Sequence, residues 1–225
     1  MKPVPSGIEY VYPPTTYPDG RRAICKIPSG YVQSALSKSD YQDLSDEFDL
    51  ELACVKAVME VESAGSGFLL KEPSPARPKI LFEAHWFYKL TPKPVSQSRP
   101  DLSSHVWDRE LYLGGSAEWD KRLLDAMEFD EFQAIKSASF GLGQIMGFNY
   151  TAAGCASIQQ FIQENFAGEY WQARQMMNFI VNSDLLAHIK RKDWDRFAFG
   201  YNGEEYRKND YHIKLANAYE KALLA

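Results

Sequence analysis

Two glutamates, Glu60 and Glu62, lie two positions apart in the stretch VMEVESAGSGFL and are followed by small residues. A carboxylic acid that stays protonated near neutral pH can act as the general acid that cleaves a glycosidic bond. The chemical question is which of the two carboxyl groups lies where its neutral form is favoured. Helix geometry separates them.

The segment LELACVKAVMEVE predicts a helix with one apolar face. The apolar or small residues on that face are Leu50, Ala53, Cys54, Ala57, Val58 and Val61. Glu60 follows Lys56 by one turn, and such a charge pair is expected on a solvated flank. Glu62 instead follows Val58 and Met59 by one turn, so we predict that its carboxyl group lies beside apolar side chains.

The residues SAGSG after Glu62 predict the end of this helix, because Gly65 or Gly67 can adopt the left-handed conformation of a C-cap. Glu62 would then lie in the last turn, at the negative end of the helix dipole. Desolvation and the dipole both raise the pKa of a carboxyl group, which suits a general acid. The same geometry also fits an ordinary helix-end residue at the rim of the core.

Two later segments carry side chains that can bind a sugar. SASFGLGQIMGFN, residues 137–149, surrounds Gln144 with glycines that let backbone approach a ligand, while the amide offers donors and an acceptor. FAFGYNG, residues 197–203, places Tyr201 and Asn202 just beyond a predicted helix, as a ring platform beside a polar group. Taken alone, the first segment is better explained as a glycine-rich turn between helices, and the second is a weak signal.

Prolines divide the chain into the regions that must position these residues. Six of the 12 prolines lie within residues 3–28 and the other six within residues 73–100. Residues 1–37 are predicted to form a proline-rich extended arm or small hairpin, which either packs on the main domain or extends its substrate cleft. The apolar run Ile80–Tyr88 predicts a short strand or a buried helix. The proline-free remainder shows helical spacing of apolar residues, so the predicted fold is mainly α.

Composition excludes several classes of protein. The net charge of −5 argues against a general nucleic-acid binder, and no apolar run approaches the ~20 residues of a membrane span, so stable membrane insertion is not expected. The N-terminal segment lacks the apolar core of a secretory signal. Cys25, Cys54 and Cys155 are odd in number and widely spaced, which indicates reduced thiols rather than disulfides or a zinc site. We therefore expect a protein made in a cytoplasm without a signal peptide.

Taken together and in order, these segments resemble the lysozyme-like superfamily of peptidoglycan glycosidases. The closer resemblance is to the N-acetylmuramidase family found in phage endolysins of Gram-negative hosts. The blocks that carry it are AVMEVESAGSGF, RPKILFEAHWFYKLT, SASFGLGQIMGFNYTAAG, DWDRFAFGYNG and YHIKLANAYEKAL. This resemblance implies a lysozyme-like helical catalytic domain over residues 38–225, preceded by the short extended arm. It departs from the family at Gly203, which is followed by Glu204 where relatives often have proline.

The resemblance implies cleavage of the β-1,4 bond between N-acetylmuramic acid and N-acetylglucosamine, with Glu62 as the general acid. Glu83 is the best second carboxylate, because it follows an apolar run that would bury the base of its side chain, although a surface or salt-bridged residue fits the same position. The weaker candidates are Asp120, Asp125 and Glu72. The residues implied to bind substrate are Ser63, Ser139, Gln144, Ile145, Met146, Asn149, Tyr201 and Asn202. The histidines lack metal-ligand spacing, so neither a metal nor a cofactor is predicted, and His85 is interpreted as a cleft-wall or core residue.

Three functions remain open from the sequence. The first is a hydrolysing muramidase, the second a lytic transglycosylase that closes a 1,6-anhydro ring, and the third a non-catalytic wall-binding module. In each case the expected partner is the glycan strand of peptidoglycan, and the protein is expected to be a monomer. An enzyme made in the host cytoplasm would reach periplasmic peptidoglycan with the help of a phage pore protein.

Overall fold

A computed structural model of the chain describes residues 10–12, 25–27, 35–63, 65–70 and 77–224. Most of the predicted arm over residues 1–37 lies outside these ranges, as does Glu72. Within the arm, strands β1 (Tyr10–Tyr12) and β2 (Cys25–Ile27) pair antiparallel, and β2 lies against a helix of the main domain. No helix in the described ranges is both long enough and apolar enough to cross a membrane.

Helices account for most of the main domain, in agreement with the predicted mainly α fold. They are α1 (Lys38–Glu47), α2 (Leu52–Glu62), α3 (Ala84–Leu90), α4 (Lys93–Ser98), α5 (Ser116–Glu118), α6 (Leu124–Met127), α7 (Glu131–Lys136), α8 (Ile158–Ala167), α9 (Glu169–Asn182), α10 (Leu186–Lys190), α11 (Trp194–Asn202) and α12 (Tyr211–Leu223). A π-helical segment, Trp119–Leu123, joins α5 to α6 without a break. The first helix begins with a capping box, in which Ser37 and Asp40 each accept a backbone N–H of the other.

The helix that carries Glu62 forms and ends as its sequence predicts. Its apolar face is buried, and Val58 is fully inaccessible to solvent, a burial that contributes about 1.5–3 kcal/mol to stability. Helix α2 packs mainly against α12. The helix ends at Glu62, and Gly65 follows with a φ of 83°, the left-handed conformation that glycine adopts without strain.

A three-stranded antiparallel sheet is formed by two segments whose secondary structure the sequence did not decide. The apolar run Ile80–Tyr88 forms both of the alternatives, because β3 (Ile80–Phe82) is followed at once by α3. The glycine-rich segment is not merely a turn between helices, since it forms β4 (Ala138–Phe140) and β5 (Ile145–Met146). The strand order is β3-β4-β5, so β4 is central.

The buried apolar residues form two clusters. The sheet-side cluster joins one face of the sheet to α3, α7 and α8 and includes Phe82, Phe87, Trp119, Phe140, Phe161 and Phe166. The helix-side cluster joins α1, α2 and α9 to α12 and includes Val58, Met59, Leu142, Met176, Phe197 and Leu215. Glu62 therefore extends from an element of the helix-side cluster, whereas Glu83 follows a strand of the sheet-side cluster.

Candidate active site

Glu62 is a half-buried carboxylic acid at the end of α2. Burial raises the pKa of Glu62 to about 7, and a hydrogen bond from Asn202 opposes this rise. That bond runs from Asn202 Nδ2 to Glu62 Oε1 over 3.1 Å. Among the residues that the structure describes, no cation shifts this pKa, so the carboxyl group can hold its proton near neutral pH.

Glu60 has the opposite environment, as the helix geometry predicts. It is exposed, and its Oε1 accepts an ion-pair hydrogen bond of 2.9 Å from Lys221 of α12. The prediction that Glu60 pairs with Lys56 was wrong. Helix α12 packs beside α2 and brings Lys221, which is distant in sequence, to Glu60. Glu60 is therefore a solvated, ion-paired residue, and Glu62 is the candidate acid.

Ser63, predicted to bind substrate, is turned back onto the helix. Its hydroxyl donates a hydrogen bond to the carbonyl of Met59, and its backbone N–H donates to the same oxygen over 3.1 Å. The side chain therefore helps to close the last turn of α2. A contact between Ser63 and substrate remains a prediction.

Tyr201 and Asn202 occupy the last turn of α11 and not a position beyond it, which corrects the sequence-based placement. The ring of Tyr201 stacks on Phe197 at 5.6 Å, so one of its faces is covered by protein. Its hydroxyl is buried and has no hydrogen-bond partner among the described residues. Burial, and then the neighbouring charge of Glu62, raise the pKa of Tyr201, so the phenol stays protonated.

The face of the sheet that is turned away from the core carries several predicted site residues, of which Ser139 is only 5% exposed. Leu81 pairs with Ser139, which in turn pairs with Met146, and directly paired residues share one face of an antiparallel sheet. The sheet continues by one residue, because the Glu83 N–H donates to the carbonyl of Ser137. Side chains two positions apart share a face, so Glu83 follows Leu81 on this side.

Gln144 lies at the end of this face, in the turn between β4 and β5. It is exposed and has a φ of 46°, an unusual conformation for a residue other than glycine. Its Oε1 accepts from Ser139 Oγ over 2.9 Å, and its Nε2 donates to the carbonyl of Gly141 over 2.8 Å. The amide is therefore held in one orientation, with hydrogen-bonding capacity left on both atoms.

The remaining residues of the second block differ in exposure. Ile145 is buried in the sheet-side cluster and Met146 is half-buried. Asn149 is half-buried at the end of a 3-10 turn, Gly147–Asn149. Ile145 therefore supports the sheet, whereas Met146 and Asn149 retain exposed surface.

Glu83 is held by two side chains, and the one from outside its own segment could not be inferred from sequence spacing. Tyr112 donates its hydroxyl to Glu83 Oε2 over 2.5 Å, and His85 Nδ1 lies 3.2 Å from the same oxygen. The Glu83 side chain is 16% exposed and forms no capping hydrogen bond to α3. Tyr112 lies 29 residues beyond Glu83, where no local pattern links the two.

Two of the other carboxylates proposed as second groups, Asp120 and Asp125, are engaged elsewhere. Asp120 forms an ion pair of 2.5 Å with Arg77, and Asp125 forms one of 2.9 Å with Arg99. Across the ranges that the structure describes, no group of three or more His, Cys, Asp or Glu side chains is placed to hold a metal ion.

Helix α9 holds the two loops on either side of the site, and the sequence did not point to this role. Glu169 accepts hydrogen bonds from Ser66 Oγ at 2.9 Å and from the Gly67 N–H at 2.8 Å. One turn further, Gln172 Oε1 accepts from the Leu142 N–H over 2.9 Å. A Cβ at Gly67 would lie only 1.8 Å from that Oε1, which explains why the loop after the acid requires glycine.

A pocket of about 390 Å³ opens between these loops and the sheet. It is lined by Ser66, Leu69, Lys79, Ile80, Leu81, Gly115, Gly141, Leu142 and Gln144. A second pocket, of about 690 Å³, shares Ser66, Leu69, Lys79 and Gly115 with the first. Together they form a concave surface beside the free face of the sheet, and proteins bind small ligands in such depressions.

Comparisons with known proteins identify the family. The family model described as N-acetylmuramidase matches residues 51–223. The chain is also similar to a solved structure entitled "Crystal structure of Burkholderia AP3 phage endolysin", with 32% sequence identity and a TM-score of 0.79 over 88% of this chain and 75% of that one. No curated protein matches the chain. These two matches show that the chain belongs to the N-acetylmuramidase family of glycosidases, which hydrolyse peptidoglycan.

Proposed function

We propose that this enzyme hydrolyses the β-1,4 bond between N-acetylmuramic acid and N-acetylglucosamine, acting as a monomer with Glu62 as its general acid. The observation that carries the proposal is the pKa of Glu62, which burial raises to about 7. At neutral pH a large fraction of such carboxyl groups is protonated and can donate to the leaving oxygen. The bond breaks as positive charge develops on the sugar ring.

Glu83 is proposed as the second catalytic carboxylate. Its position on the free face of the sheet, one residue beyond β3, and its hydrogen bond from Tyr112 support this role. In hydrolysis a second carboxylate either activates water or attacks the sugar directly. A lytic transglycosylase needs no group that activates water, so a held carboxylate at this place favours the hydrolase.

Ser139, Gln144, Met146, Asn149, Tyr201 and Asn202 are proposed to contact the sugars. Gln144 is the best supported, since its amide is exposed and its orientation is fixed by Ser139 and Gly141. A fixed amide loses little conformational entropy when it binds a hydroxyl or acetamido group. Tyr201 is half-buried, but its ring is packed on Phe197 and its hydroxyl is buried, so we propose that it contacts the sugars through the part of the ring that stays exposed.

Mass spectrometry of digested peptidoglycan tests the reaction. Purified sacculi are treated with enzyme, reduced with borohydride and analysed as muropeptides. Hydrolysis at the proposed bond gives fragments that contain one added water and end in reduced N-acetylmuramic acid. Fragments that end in a 1,6-anhydro ring would show a transglycosylase instead, and reduced N-acetylglucosamine would show that the other bond is cut. Binding to sacculi without release of fragments would indicate a wall-binding module.

Access to the substrate is proposed to need a partner. Similarity to a phage endolysin supports synthesis in the host cytoplasm and action on periplasmic peptidoglycan, with a phage pore protein opening the inner membrane. Cells that express the enzyme should then grow until the inner membrane is permeabilised. The matched control is a strain that carries the pore protein alone. Lysis of cells whose inner membrane is intact would contradict this route.

A further inference from the structure

We propose that Tyr112, fixed by the buried carboxylate of Glu118, positions Glu83 so that one of its two oxygens stays free for the reaction. Tyr112 and Glu118 would thus be positioning residues that act through Glu83. The inference rests on the catalytic role proposed for Glu83 and extends it to a loop that neither local pattern nor family resemblance singled out.

The two oxygens of the Glu83 carboxylate have different contacts. Both contacts of the carboxylate, from Tyr112 at 2.5 Å and His85 at 3.2 Å, fall on Oε2. Oε1 makes no hydrogen bond to any other residue that the structure describes. The backbone carbonyl of Glu83 starts α3 by accepting from the N–H groups of Trp86 and Phe87, so the carboxylate is not needed for capping.

The loop that carries Tyr112 is tied to the strand that carries Glu83. Glu118 is fully buried, and its Oε1 accepts from the N–H groups of Leu113 and Gly114 at 2.6 and 3.0 Å. Its Oε2 accepts from the N–H of Phe82 over 3.0 Å. One carboxylate thus joins the residue before Glu83 to the residue after Tyr112, which fixes the distance between the phenol and the acceptor.

The electrostatic environment keeps Tyr112 in its donor form. Burial, together with the hydrogen bond to Glu83 and its charge, raises the pKa of Tyr112 above its ordinary value. The phenol therefore remains protonated through the pH range in which peptidoglycan hydrolases work. A neutral donor can hold an anion in place without carrying a competing charge of its own.

Removal of the Tyr112 hydroxyl is the direct test. We expect Tyr112→Phe to lower kcat about tenfold on soluble muropeptide chains, the cost of one hydrogen bond to a charged group, with KM and the melting temperature little changed. Tyr170→Phe is the matched control, because Tyr170 also donates to a carboxylate, Glu47, at 3.3 Å and lies in the helix-side cluster. It should leave kcat unchanged.

A double-mutant cycle shows whether Tyr112 acts through Glu83. In the background of Glu83→Gln, Tyr112→Phe should cause no further loss of kcat, because the group that it positions is already disabled. Equal fractional losses in both backgrounds would overturn the proposal, as would a Tyr112→Phe enzyme with unchanged kcat. If Glu83→Gln alone keeps full activity, the role of Glu83 fails instead, so the two failures are distinguishable.

A second variant tests whether the hydrogen bonds of Glu118, which join the Tyr112 loop to β3, matter for Glu83. Glu118→Gln keeps the shape of the side chain but turns one acceptor oxygen into a donor group that faces a backbone N–H. We expect a loss of kcat of about tenfold or more, accompanied by a lower melting temperature, because a buried donor is left unsatisfied. A destabilised Glu118→Gln enzyme with normal kcat per folded molecule would show that the hydrogen bonds of Glu118 do not position Glu83.

Discussion

Glu62 ends a helix of one hydrophobic cluster, and Glu83 follows a strand of the other. The two carboxyl groups differ in how they are desolvated and hydrogen-bonded. Glu62 closes a helix of the helix-side cluster and, among the described residues, receives one hydrogen bond, from the neutral amide of Asn202. Glu83 follows a strand of the sheet-side cluster and is held by a phenol and an imidazole. Removal from water dominates the first environment, and directed contacts dominate the second.

This difference shows how one residue type can be given two tasks. Desolvation favours the neutral form of a carboxyl group, so Glu62 is suited to give a proton. Hydrogen bonds fix direction, so Glu83 is suited to present one oxygen to water or to a sugar carbon. Glycosidases use two carboxyl groups in this complementary way. Variants that alter one environment at a time test this contrast.

The largest effect is expected from Glu62→Gln. The amide keeps the shape of the side chain but has no acidic proton, so kcat should fall by about 10²- to 10⁴-fold. Glu60→Gln is the control, because Glu60 is exposed and its ion pair with Lys221 contributes little. Turnover of soluble muropeptide chains measures both. An inactive Glu60→Gln enzyme beside an active Glu62→Gln enzyme would reverse the assignment.

Glu83→Gln should have the next largest effect, a fall in kcat of about 10²-fold, the lower end of what a general base contributes. The substituted amide would still accept a hydrogen bond from Tyr112 but could neither take a proton from water nor attack the sugar. The anomeric configuration of the wild-type product distinguishes these roles, because attack by Glu83 on the sugar gives overall retention, whereas activation of water gives inversion. Full activity of Glu83→Gln would remove Glu83 from the mechanism and leave Glu62 without a partner of the proposed kind.

The helix that carries Glu62 could be predicted from the sequence because its signals are local. Apolar residues at three- and four-residue spacing define its buried face, and Gly65 marks the end. Glu60 and Glu62 were distinguished by the face on which each lies. The partner of Glu60 was mistaken, since Lys221 comes from a helix packed against α2, and sequence spacing contains no information about that packing.

The surroundings of Glu83 could not be predicted in this way. Its strand and the two that complete the sheet are two or three residues long, too short for alternation to distinguish them from turns. Tyr112 reaches Glu83 from a separate loop, and Glu118, which fixes that loop, reads in the sequence as an ordinary surface charge. The need for glycine at positions 67 and 141 is likewise visible only in the structure, because the Gln172 side chain lies too close to both for a Cβ atom.

The raised pKa of Glu62 has a cost in stability that depends on pH. The unfolded chain loses this proton near pH 4.5 and the folded chain near pH 7, so between these values the folded state binds more protons. Stability is therefore fully present below about pH 4.5 and decreases as the pH rises to about 7, by at most about 3 kcal/mol.

Urea unfolding of the wild type and of Glu62→Gln at pH 5 and pH 8 measures this cost. The variant should gain stability relative to the wild type on going from pH 5 to pH 8, because glutamine cannot ionise. Glu60→Gln should show no such gain. A difference between Glu62→Gln and wild type that is the same at both pH values would contradict a buried, neutral Glu62.

The smallest effect is expected from Asn202→Ala. Burial raises the pKa of Glu62, and the hydrogen bond from Asn202 partly opposes it, so loss of that bond should raise this pKa further. Because the acid must be protonated, activity is lost as the pH rises through its pKa. The alkaline limb of kcat/KM should therefore move upward, by less than about one pH unit for one hydrogen bond. The profile of kcat/KM reports the free enzyme, so weaker sugar binding by the variant does not displace the limb.

Asn182→Ala is the control, since Asn182 donates to the carbonyl of Ala152 at an exposed site. A limb that moves downward would mean that Asn202 stabilises the neutral acid, and the contrast between a desolvated Glu62 and a hydrogen-bonded Glu83 would weaken.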